Sequence, residues 1–184
     1  MNEEKLRAHE EIVIRGGDRV VLRPIGPADL ELDRRFIEAL SPASRRFRFL
    51  ETILTPSDAL LNQLTVLDPA TDVAIVAVVG EGSRERAVGV GRFSAYAAGN
   101  ECEFALTVAD DWQQKGLGTV LMARLMDHAR ARGLTLMHSS DAADNALMRK
   151  FAAHVHLRHE TDPEDATLIR YSVDIAQDQA PATT

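Results

Sequence analysis

The 184-residue chain has single-domain length and enough residues to bury a core, and 45% hydrophobic with 27% charged residues is the balance of a globular protein. A net charge of −7 argues against a general nucleic-acid binder and against binding to anionic membranes, while it suits a cationic substrate such as lysine or a polyamine. The single cysteine, Cys102, excludes an intramolecular disulfide and any multi-cysteine metal site; no apolar run approaches the ~20 residues that span a bilayer, and the charged N-terminus carries no secretory signal, so the cytoplasm is the expected compartment.

Residues 1–11 are dominated by charge (Glu3, Glu4, Lys5, Arg7, Glu10, Glu11) and are expected to form a flexible arm. Residues 12–14 and 20–25 read as short strands around Gly16-Gly17-Asp18, a hairpin signal. Pro27 suits the first turn of a helix with Leu30, Ile37 and Leu40 on its buried stripe, and Ser41-Pro42 stops it. A second helical region, residues 44–67, is broken near Thr55-Pro56. Its first part, Arg45-Arg46-Phe47-Arg48-Phe49, has two readings: an exposed basic face with both phenylalanines packed inward, or a contact for substrate or phosphate. Residues 73–79 form a continuous apolar run, as in a strand covered on both faces, and residues 87–96 form the next strand.

The stretch that follows reads as strand, loop, helix. Phe104, Leu106 and Val108 alternate with Glu103, Ala105 and Thr107, the period of a strand. Leu117, Leu121, Leu125 and Ala129 recur at helical spacing beside Met122 and Met126, and Arg130, Arg132 and Gly133 make a basic last turn and a stop. Between them, Gln113-Gln114-Lys115-Gly116-Leu117-Gly118-Thr119 places two glycines and several orphan amides at a helix start, which suits a phosphate or pyrophosphate. The loop is neither a Walker loop, since no Gly-Lys-Ser/Thr follows, nor the dinucleotide fingerprint, since the third glycine is missing. Residues 134–138 read as a strand, and Asp144 can cap a helix lined by Leu147, Phe151 and Val155. Residues 158–160 and 167–175 close as a strand pair, and 176–184 is expected to be a disordered tail. The domain thus covers 12–175, and this order of elements by itself supports α/β or α+β.

Gln113, Gly116 and Gly118 fill the pattern Gln/Arg-x-x-Gly-x-Gly/Ala, and the segment resembles the acetyl-CoA loop of the GNAT superfamily of N-acetyltransferases. Leu22-Arg23-Pro24-Ile25, Ser41-Pro42-Ala43-Ser44-Arg45-Arg46, Asp110-Asp111-Trp112-Gln113 and Asp162-Pro163-Glu164-Asp165 are similar to stretches of bacterial Pat-type protein lysine acetyltransferases, so the resemblance spans residues 19–175. It implies an α+β GNAT fold: a mixed, mostly antiparallel sheet flanked by helices and opened between two central strands, here with an extra N-terminal strand. It also implies acetyl-CoA as co-substrate. By the same resemblance the pantetheine arm is expected on the backbone of Leu106 and Val108, and the pyrophosphate on amides from Gln114 through Lys115, Gly116, Leu117 and Gly118 to Thr119. The Thr119 hydroxyl and the Lys115 ammonium are further candidate phosphate contacts, and Asn145 matches an asparagine that usually touches the cofactor arm.

Acetyl transfer to an amine needs a group that removes the ammonium proton before attack on the thioester. On the residues alone, Glu101 and Glu103 read as solvated carboxylates on one strand face. The resemblance places Glu103 at the catalytic glutamate, with Glu101 as the competitor. Two departures stand out: Ala152 occupies the place, seven residues after Asn145, where many GNAT enzymes carry an acidic tyrosine, and Val155-His156-Leu157 replaces Leu-Gly-Phe. Cys102, flanked by acidic residues, reads as a buried small residue and not a nucleophile. His154, His156 and His159 lack the spacing of a metal site, and none is expected. The expected function is acetyl-CoA-dependent N-acetyl transfer in a ternary complex to an amine, a protein lysine first, by a monomer or homodimer. A small-molecule amine acetyltransferase and a non-catalytic acyl-CoA-binding module remain the alternatives.

Overall fold

The computed structural model describes residues 9–50 and 55–176. Among these residues eight strands form one sheet in the order β1-β2-β3-β4-β5-β6-β8-β7. They are β1 (Glu10–Val13), β2 (Arg19–Pro24), β3 (Asp72–Val79), β4 (Arg86–Ala95), β5 (Glu101–Val108), β6 (Leu136–Ala142), β7 (Arg158–Thr161) and β8 (Leu168–Asp174). Every pairing is antiparallel except β5 with β6. Five helices complete the α+β fold: α1 (Leu30–Ala39), α2 (Pro42–Phe49), α3 (Asp58–Thr65), α4 (Leu117–Ala131) and α5 (Ala146–His154). Among the described residues, none of them is long and apolar enough to cross a membrane.

The second helical region is interrupted as expected and forms two helices, the first starting at Pro42 and not at residue 44; each has its own serine N-cap: Ser41 Oγ accepts from the Ser44 N–H and Ser57 Oγ from the Leu60 N–H. Ser41-Pro42 therefore starts α2 as well as ending α1. At the N-terminus, Glu10 and Glu11 belong to β1, while the rest of the expected arm up to residue 8, and the tail 177–184, lie outside the described residues.

The sheet is covered on both faces, and the apolar run of β3 reports it: Val73, Ile75 and Ala77 face one core, Ala74, Val76 and Val78 the other. On the first face Leu117, Leu121, Leu125 and Ala129 of α4 pack on Phe93, Cys102 and Phe104. That contact depends on glycine. A Cβ on Gly91 would stand 3.0 Å from Leu106 Cδ2 and 3.3 Å from Leu125 Cδ1, closer than a well-packed core allows. On the second face Phe36 and Ile37 of α1, Leu40 just after it and Leu61 of α3 cover Val76, Val78 and Val90.

Candidate active site

The site begins where the one parallel pairing fails. β5 and β6 are registered only at Glu101–Leu136, Cys102–Met137 and Glu103–His138, and from Phe104 onward they part. Glu101 O accepts from the Tyr96 N–H and the Ala109 N–H donates to Val88 O, so the odd-numbered residues of β5 spend their main-chain groups on β4. The even-numbered ones, Leu106 and Val108 among them, aim theirs into the gap. The Val108 carbonyl already accepts there from Gln113 Nε2 at 3.2 Å.

The gap opens into a cleft of about 380 Å³, lined by Leu106 and Val108 on one wall and Asn145, Met148 and Phe151 on the other. Gln113, Gln114, Gly116, Gly118 and Thr119 form its floor. Gly116 is the N-cap of α4 with φ +87°, a conformation that favours glycine, and the first amides of a 15-residue helix follow it. Those unpaired donors and the helix dipole give this end of the cleft the character of an anion site.

Several expected residues have duties of their own. The Gln113 side chain braces the loop, donating to Ser44 Oγ as well as to Val108 O. Lys115 is engaged away from the cleft: its Nζ lies 3.0 Å from Asp18 Oδ2 in the β1–β2 turn and 4.6 Å from the centroid of Trp112. The Leu117 side chain is buried in the core, so only its amide is available to a ligand. Asn145 lines the cleft at 7% exposure, caps α5 by accepting from the Met148 N–H, and donates to both oxygens of Asp141. Leu147, expected on the buried stripe of α5, is exposed at the cleft, and Ala152 takes the inward place.

Two stretches that carry the resemblance meet at the cleft. Asp110 accepts from the Ser41 N–H and from the hydroxyls of Ser41 and Ser44 at 2.7 to 2.9 Å, tying α2 to the loop before α4. Burial pushes the Asp110 carboxyl up, but these donors together outweigh it and hold it below the ordinary value. Phe47 and Arg48 of the basic-aromatic run line the cleft. Burial foremost, with Arg92 nearby, pushes the Arg48 guanidinium down to about 10, against the pull of Asp33 and Glu103.

Glu103 does not line the cleft. Together with Ser94 and the Arg92–Ala105 pair it belongs to the opposite face of β5 from Phe104 and α4, and it is exposed. Glu101 shares that face. Around them stand Tyr96, His138 and Arg170; the Tyr96 and His138 rings stack with centroids 5.6 Å apart. Sequence reading missed His138, because its position opposite Glu103 follows only from the β5–β6 register. Cys102 between the glutamates is fully buried and its thiol is pushed up to about 12 by burial, which leaves it no nucleophilic role. Among the described residues, no group of three or more metal-ligating side chains gathers anywhere.

A splayed strand pair, a helix start with unpaired amides beside it and carboxylates on the far sheet face are the layout of a transferase site with one side for an anionic donor and the other for a cationic acceptor. The sequence comparison gives the particular family: the model described as acetyltransferase (GNAT) family matches residues 38–156, and the chain belongs to it. The acetyltransferase PA5475 of Pseudomonas aeruginosa is 42% identical over 153 residues, which cover 83% of this chain and 82% of that protein. The acetyltransferase Pat of Mycolicibacterium smegmatis is 31% identical over 140 residues, 76% of this chain but 41% of that longer protein. In fold, the GNAT domain of S. lividans PAT superposes with a TM-score of 0.83 at 23% identity, covering 90% of this chain and 96% of that domain. The chain is thus a GNAT acetyltransferase, and its family uses an acyl-CoA donor.

Proposed function

We propose that this enzyme transfers the acetyl group of acetyl-CoA directly to an amine, a protein lysine side chain first, with Glu103 as the general base. The observation that carries the reading is the position of Glu103: it is in the last β5–β6 pair before the strands part, on the sheet face away from α4. A donor arm laid along the even-numbered backbone of β5 brings its thioester to that point. An ammonium approaching from the other face meets Glu103 and Glu101 there. Glu103 takes the proton, the freed lone pair attacks the acetyl carbon, and the C–S bond breaks with its electrons on sulfur, which takes up the second nitrogen proton as the amide forms. The Pat-type resemblance supports lysine as the acceptor.

The test is release of CoA thiol from acetyl-CoA in the presence of lysine-bearing peptides and, separately, small polyamines. Peptide turnover is expected, and Glu103→Gln should lower it about a hundredfold or more with CoA affinity nearly unchanged, while Glu101→Gln is much milder. Turnover with small amines alone would reassign the acceptor. Wild-type turnover in Glu103→Gln would remove Glu103 from the mechanism, and a larger loss in Glu101→Gln would move the role there.

A further inference from the structure

The acyl-transfer scheme leaves unused a buried imidazole that touches its centre. His138 sits directly opposite Glu103 in the parallel register, in the final pair before β5 and β6 diverge. Side chains paired in that way project from the same face of the sheet, so imidazole and carboxylate are neighbours on the acceptor side. The ring is only 5% exposed, and its Nε2 has no hydrogen-bond partner. Tyr96 reaches across β5 from the end of β4 and stacks on it with the planes 15° apart, which fixes the orientation of the imidazole. A buried polar nitrogen without a partner is destabilising, and an apolar side chain would fill the same place without that cost.

We propose that His138 is a positioning and proton-relay residue, accepting from Glu103 the proton that Glu103 removes from the acceptor. The inference rests on the reading of Glu103 as the base. The ammonium N–H bond breaks toward the carboxylate. The carboxyl proton then passes to the imidazole, leaving an imidazolium beside a regenerated carboxylate. The neutral amine forms the C–N bond as the C–S bond breaks, its second N–H proton goes to the departing sulfur to give the amide and CoA thiol, and the imidazolium loses its proton to solvent after the products leave.

The groups that face the ring from its neighbours are Glu101 and Glu103 of β5, Tyr96 just after β4 and Arg170 of β8. Burial first and Arg170 second hold the imidazole below the ordinary histidine value, against Glu103 and Glu101, so it is neutral and ready to accept at pH 7.

Two measurements on the full chain test this. The first needs no acceptor: the His138 ring protons are followed by NMR across the pH range. In the wild type the ring should titrate below the ordinary histidine value, and in Glu103→Gln lower still, because the carboxylate that favours the imidazolium is gone. An unchanged midpoint in Glu103→Gln would overturn the coupling. The second compares two acceptors. With a lysine peptide, protonated at the assay pH, His138→Gln should lose at least tenfold in turnover and the near-neutral limb of its pH–rate profile. With hydroxylamine, which is neutral at pH 8 and needs no proton removed before attack, His138→Gln should match the wild type. An equal loss with both acceptors would mean a structural role and overturn the relay. His138→Phe keeps the stack on Tyr96 and should behave as His138→Gln; retention of full lysine turnover in it would also overturn the relay. Failure of the wild type to acetylate any amine would instead overturn the reading of Glu103 as a base, a result distinct from a negative titration.

Discussion

Gly118→Glu separates the fold from the cofactor site. Gly118 is the second residue of α4, and a Cβ there would lie 3.5 Å from Phe151 Cε2 and 3.9 Å from Val108 Cγ2, ordinary contacts that need no repacking. Glutamate is a better helix former than glycine by roughly 0.5–1 kcal/mol, and an acidic side chain in a first turn gains a few tenths more from the helix dipole. Stability against unfolding should therefore be unchanged or raised by about 1 kcal/mol. Binding should respond in the opposite sense. Two unit charges 4 Å apart interact by about 4 kcal/mol at an effective dielectric of 20, and the open mouth of the cleft screens part of that. A loss of about 3 kcal/mol, roughly a hundredfold in Kd for CoA, is expected. Gly118→Gln has nearly the same shape without the charge and should lose no more than about tenfold, or roughly 1.4 kcal/mol. Calorimetric titration with CoA, beside thermal unfolding of the three proteins, reads both effects. A folded Gly118→Glu protein with wild-type CoA affinity would refute the placement of the pyrophosphate at α4.

The Arg23–Asp29 pair, bidentate at 2.7 and 2.9 Å and largely buried, should matter for acid stability. Burial pushes the Asp29 carboxyl up, but donors from Arg23 and the Gly26 N–H outweigh it and hold it below the ordinary value. A carboxyl depressed in the folded state stabilises above its unfolded value of ~3.9, and that contribution disappears as pH falls through the folded value. Asp29→Asn should thus cost about 1–3 kcal/mol in urea unfolding at pH 7, with the difference narrowing below about pH 4; an equal difference at both ends would refute the assignment. Tyr171 is buried with its hydroxyl unpartnered. Tyr171→Phe should leave stability equal or higher and turnover within about tenfold; a loss of several orders of magnitude would make Tyr171 the acid for the departing thiolate.

The strand–loop–helix around the glycine loop was legible because local rules specify it: alternation in 103–108, helical spacing from Leu117, and glycines at a helix start. The two-helix division between α2 and α3 was less so, because a proline break marks an interruption but not where each helix restarts. The serine caps do that, and Ser41 doubles as the stop of α1. Lys115 shows the limit of reading a loop by itself: the Asp18 carboxylate that engages it lies 97 positions away, across the sheet edge. His138 is the same case on the catalytic side. Nothing in its own neighbours marks it, and only the parallel pairing of β5 with β6, a long-range contact, sets it against Glu103.

A crystal structure of the protein with CoA decides where the coenzyme lies. The pantetheine arm is expected in the gap between β5 and β6, hydrogen-bonded to the main chain of Leu106 and Val108. The pyrophosphate should accept from amides of Gly116 and Gly118, and the sulfur should point to the Glu103–His138 pair. A coenzyme bound outside that gap, or one whose sulfur lies remote from Glu103, would contradict this placement.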